Sequence, residues 1–101
     1  MSEDDLLSAV LDLCKVRHWR TLHIRPLRTV HGWRTAVQGD GVGFPDIIAI
    51  RGSRLIAAEL KSDKGKTTAE QDAWLEAFRL YGAEAYTWRP YQLQAIAAVL
   101  A

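Results

Sequence analysis

A chain of 101 residues has room for one domain, 1–101, built on a single apolar core. Apolar residues at 49% and charged residues at 25% match ordinary globular usage, which excludes a fibrous repeat or a disordered polar tract. Net charge is +1 but unevenly spread: Lys15, Arg17, Arg20, Arg25, Arg28 and Arg34 lie between Leu13 and Gly39 without an acid, so that stretch carries +6 and leaves −5 elsewhere.

The basic stretch, which also holds His18, His23 and His31, suits a polyanion, although a solvated basic surface accounts for the same charges. No apolar run reaches the about 18 residues that span a bilayer. The amino terminus Met1-Ser2-Glu3-Asp4-Asp5 is acidic where a secretory signal is basic, and Cys14 is alone. A cytoplasmic protein is expected, with Cys14 a small buried hydrophobe rather than half of a disulfide.

In chain order, Ser2, the acids after it, and Leu6, Leu7, Val10 and Cys14 predict a capped amphipathic helix ending near Arg17. Thr21 to Arg25 reads as a strand closed by Pro26. From Leu27 to Phe44 the chain is rich in Gly and basic residues without a clear period, which predicts a long functional loop. Ile47–Ile50 and Leu55–Ala58 are two short strands joined at Gly52-Ser53, a two-residue hairpin turn with Gly at positive φ. Thr67 and Glu70 have capping-box spacing, Trp74, Leu75 and Phe78 carry the helical period to about Tyr81, and Gly82 stops it. Ala83 to Trp88 is a fourth strand, and Pro90 opens a last helix carrying Ile96, Val99 and Leu100. The expected fold is α/β, in the order α-β-β-β-α-β-α, with a central mixed sheet flanked by helices.

A two-residue turn pairs Arg51 with Arg54, and the same register sets Asp46 opposite Glu59. Directly paired side chains share a face with Cβ atoms about 4.5–5.5 Å apart, where like charges repel. Lys61, two residues past Glu59, projects from that face too. Two carboxylates this close share a proton, pair with cations or bind a metal such as Mg²⁺; a surface ion-pair cluster is the plain alternative. Glu3 precedes Leu6, Leu7 and Val10 at helical spacings, which points it along the buried stripe, unless it is a terminal acid favoured by the helix dipole. Gln71 precedes Trp74, Leu75 and Phe78 in the same way, unless its amide only bonds nearby backbone. The segment Gly39-Asp40-Gly41-Val42-Gly43 lacks the Lys-Ser/Thr of a P-loop and leads into a strand, so no nucleotide cofactor is expected.

Gly43-Phe44-Pro45-Asp46, Ala58-Glu59-Leu60-Lys61 and Gln71-Asp72-Ala73-Trp74, taken with the element order, resemble the VRR-NUC branch of the PD-(D/E)XK nucleases, including small stand-alone forms of phages and bacteria. The resemblance runs through nearly the whole chain. It implies a restriction-endonuclease-like core and a Mg²⁺- or Mn²⁺-dependent DNA endonuclease in a bacterial or phage-infected cell, selective for branched or junction DNA. It implies Glu3, Asp46, Glu59 and the Leu60 carbonyl as metal ligands, with Lys61 placing or activating water and Gln71 beside the site. Arg25, Arg28, His31, Trp33 and Arg34 of the long loop are the expected DNA contacts. A symmetric homodimer is expected, with Tyr91, Leu93, Ile96, Val99 and Leu100 of the last helix as apolar interface. The competing function is a nucleic-acid-binding module of the same fold with little turnover.

Overall fold

The computed structural model describes residues 1–24 and 39–101, together with the backbone of Leu27–Thr29 and Gly32–Arg34. Helix α1 spans Glu3–Val16 and is capped by Ser2, whose hydroxyl accepts from Asp5 N–H while the Asp5 carboxylate accepts from Ser2 N–H. Strands β1 (Arg20–His23), β4 (Ile47–Arg51), β5 (Arg54–Leu60) and β6 (Glu84–Trp88) form a mixed sheet in the order β1-β4-β5-β6. The pairs β1–β4 and β4–β5 are antiparallel and β5–β6 is parallel, the crossover being made by helix α2, Ala69–Leu80. A 3₁₀ turn at Pro90–Gln92 leads into helix α3, Leu93–Leu100.

Helices α1 and α3 cover one face of the sheet. Leu6, Val10 and Cys14 of α1 and Ile96 and Leu100 of α3 pack there against Ile47, Ala49, Ile56, Ala58, Leu60 and Trp88. Burial raises the Cys14 thiol to about 11, as befits an inert apolar residue. Helix α2 packs on β5 and β6 with Leu75 buried. No helix among the described residues is long and apolar enough to cross a membrane.

Both long helices that end before a strand use the same stop. After α2, Gly82 at φ +87° lets Gly82 and Ala83 N–H bond the Arg79 and Phe78 carbonyls; after α1, His18 at φ +65° lets His18 and Trp19 N–H bond those of Lys15 and Cys14. Trp19 thereby turns inward, 5% exposed, where its indole N–H reaches the Leu100 carbonyl and the Arg51 and Arg54 guanidinium groups lie 4.4 and 5.0 Å from its ring.

Several expectations are corrected. The segment Leu27–Phe44 is not wholly loop: β2 (Leu27–Thr29) pairs antiparallel with β3 (Gly32–Arg34) in a separate two-stranded ribbon. Three-residue strands are too short to show a period of two. Strand β1 ends at His23 rather than at Arg25. The capping box of α2 is Thr68 with Gln71, one residue later than Thr67 with Glu70, because Gln closes the box as well as Glu does. The apolar residues of α3 do not form a free surface. Ile96 and Leu100 are buried, Leu93 and Val99 pack on the core, and only Tyr91, outside the helix, stays exposed.

Candidate active site

The hairpin explains why two acids meet. Gly52 takes φ +60°, Arg51 pairs with Arg54, and the register runs back to Ile47 opposite Ala58, so Asp46 precedes β4 beside Glu59. Asp46 Oδ2 accepts from Leu60 N–H at 2.7 Å, which ties its carboxylate to the backbone next to Glu59. The segment before it is held just as firmly. Gly43, at φ +85°, passes so close to α2 that a Cβ would stand 2.7 Å from the Glu70 carbonyl carbon, and Phe44 packs edge-on to Trp74 and Phe78. Sheet and helix are thus locked where the acid emerges.

Glu59 is 3% exposed, the one charged residue in the core of the described residues. Its Oε1 accepts from Gln71 Nε2 at 2.9 Å and lies 3.9 Å from Lys61 Nζ. Its Oε2 is buried without a hydrogen-bond partner. Burial, first, and then the charge and side-chain contact of Asp46 push the Glu59 carboxyl from 4.5 up to about 8, against the pull of Lys61, with the charge of Glu3 adding to the push. Gln71 cannot swivel, because its Oε1 accepts from Thr68 N–H at 2.9 Å and its own N–H bonds Thr68 Oγ1 at 3.2 Å. One capping residue therefore both starts a helix and directs an amide N–H at a buried carboxylate, so the two readings of Gln71 hold together.

The structure brings Asp46, Glu59, Lys61 and Gln71 to one place, with the Leu60 main chain between two of them. Glu3 is exposed rather than buried, because as the first residue of α1 it stands one turn before Leu6, where the buried stripe begins; only its charge reaches Glu59. Among the described residues no three His, Cys, Asp or Glu side chains gather as a ligand set, so the acids form a pair. Arg20 pairs with Ile50 near the hairpin turn, several residues along the strands from Asp46, and Arg17 is near it, donated a bond at its carbonyl by Arg51. Arg25 and His31, and the side chains of Arg28, Trp33 and Arg34, lie outside the described residues.

Two neighbours escaped the sequence. His23, opposite Ile47 at the end of β1, has Nδ1 2.8 Å from the Asp46 carbonyl; a carbonyl only accepts, so Nδ1 is the donor of this bond. Arg89 follows β6, whose Trp88 carbonyl accepts from Lys61 N–H, and its guanidinium bonds the Ser62 and Gly65 carbonyls at 2.7 and 2.6 Å. Pairing β1 with β4 and β6 with β5 is the signal that finds them, and it is not local to either residue. Compared with models of known protein families and with curated proteins, the chain matches none.

Proposed function

We propose that the protein is a metal-dependent nuclease that hydrolyses phosphodiester bonds in DNA, with Mg²⁺ or Mn²⁺ as its ion and the restriction-endonuclease-like core of the VRR-NUC branch as its frame. The observation that carries this reading is Glu59. A carboxylate facing another across a hairpin, with one oxygen buried and without a partner, is an arrangement that a bound cation resolves. A magnesium ion takes one or two protein carboxylates and fills its shell with water and phosphate oxygens, so a pair of acids suffices.

Hydrolysis forms a bond from water oxygen to phosphorus and breaks the bond from phosphorus to the 3′ oxygen, leaving a 5′-phosphate and a 3′-hydroxyl. When bound, the ion supplies neutralising charge at the nonbridging oxygens and acidifies the attacking water. Asp46 and Glu59 would hold it, with the Leu60 carbonyl as a further oxygen and Glu3 as an outer acid. The Leu60 N–H fixes the rotation of Asp46, and Gln71 fixes that of Glu59. Lys61, with its ammonium beside Glu59 Oε1, places the water or the scissile phosphate. A twofold homodimer would offer two such sites to branched DNA. Exposed Leu22 and Ile50 near the β1 edge of the sheet support that arrangement in place of α3. The resemblance and the buried, unpaired Cys14 support a cytoplasmic site of action in a bacterial or phage-infected cell.

Calorimetric titration with Mg²⁺ or Mn²⁺, read beside DNA cleavage, tests the roles. Asp46→Asn loses both binding and cleavage, whereas Lys61→Ala keeps binding and loses cleavage. A Lys61→Ala protein that cuts at the wild-type rate contradicts the assignment.

A further inference from the structure

The segment from Lys61 to Thr68, between β5 and α2, carries Lys64 and Lys66 as well as Lys61, and it is fixed rather than free. Arg89 clamps two of its carbonyls, Gly65 N–H bonds Ser62 Oγ at 3.0 Å, and a Cβ on Gly65 would stand 3.7 Å from Lys61 Cδ. The loop therefore folds against the Lys61 stem. Its one acid, Asp63, is engaged by Tyr91 N–H at 3.1 Å, while Lys64 and Lys66 are exposed and have no ion-pair partner among the described residues. That same bond holds Tyr91 beside the loop, 71% exposed. Two exposed lysines without an ion-pair partner among the described residues and the exposed Tyr91, whose backbone is tied to Asp63, thus border the loop that starts at Lys61.

We infer that Lys64, Lys66 and Tyr91 form a rim that seats an unpaired DNA strand beside the Asp46–Glu59 site. The lysines meet backbone phosphates, and the Tyr91 ring stacks on a base. Its location as a substrate rim rests on the nuclease reading, while its binding chemistry rests on these residues alone. A duplex keeps its bases stacked on one another and has no free face to give Tyr91, so the ring selects unpaired strand where lysines alone would not. Arg89 acts as a positioning residue that holds the lysines in place.

The test is fluorescence anisotropy of the full chain in excess chelator, with a labelled single strand and the duplex of the same length, from about 50 to 200 mM salt. Tyr91→Ala weakens single-strand binding about tenfold and leaves duplex binding unchanged, while Tyr91→Phe keeps the wild-type affinity. Lys64→Ala with Lys66→Ala weakens both and reduces the single-strand salt slope by about 1.4, at about 0.7 per lost contact. All three side chains are exposed, so the fold is not at risk. Unchanged binding by Tyr91→Ala, loss with Tyr91→Phe, or an unchanged slope overturns the rim. Wild-type cleavage with Mg²⁺ is read in parallel. Cleavage with unaltered variant binding rejects the rim alone, and the binding shifts without any cleavage reject the nuclease reading alone.

Discussion

Replacing Glu59 with Gln removes the charge that the apo fold tolerates least. The Glu59 carboxyl ionises near 4.5 when unfolded and at about 8 in the folded chain without metal. A raised carboxyl stabilises the fold fully below 4.5, and that contribution drains away as pH rises until it levels off above about 8. At roughly 1.4 kcal/mol per tenfold step, the deficit is about 3 kcal/mol at pH 7 and about 5 kcal/mol at pH 9, as an upper bound. Gln mimics the protonated acid, since its oxygen accepts from Gln71 and its amide donates toward Asp46. In excess chelator, Glu59→Gln therefore melts with the wild type at pH 4.5 and above it by roughly 10–20 °C at pH 7. Added Mg²⁺ narrows the gap by stabilising the wild type alone. A difference that stays flat from pH 5 to 9, or a less stable variant, refutes the strained carboxylate.

Gly43→Ala, forced to positive φ with its Cβ against the α2 backbone, loses more than about 2 kcal/mol of stability by denaturant titration, and cleavage falls with it because Asp46 and Gln71 shift apart. His18→Gly relieves the left-handed residue after α1 and gains about 0.5 kcal/mol, readable as a higher melting temperature. Cleavage by His18→Gly is unchanged, because the turn lies at the far end of β1 from the site.

The register of the acids was legible because a two-residue Gly-Ser turn admits one pairing and alternation does the rest. Gln71 was legible too, as a polar residue in phase with an apolar stripe, although its double role needed the observed cap at Thr68. What the sequence hid depends on neighbours distant in the chain. His23 meets Asp46 only because β1 joins the sheet beside β4, and Arg89 meets the Lys61 loop only because β6 runs parallel to β5. Helix α3 shows the converse limit. Its apolar period marks a face without saying what covers it, and the cover is α1 and the sheet rather than a second copy. Charge summed along the chain carries no information on where the fold puts it: Arg17 caps the end of α1 and Arg20 opens β1 opposite Ile50, several residues along the strands from Asp46.

The most direct test of the central proposal is cleavage of linear, flapped and four-way DNA by the purified chain, first in excess chelator and then with each ion restored. Cutting absent in chelator, present with Mg²⁺ or Mn²⁺, absent with Ca²⁺ and abolished by Asp46→Asn is the expected result. Undiminished cutting in chelator, or no cutting of any substrate with either active ion, contradicts it.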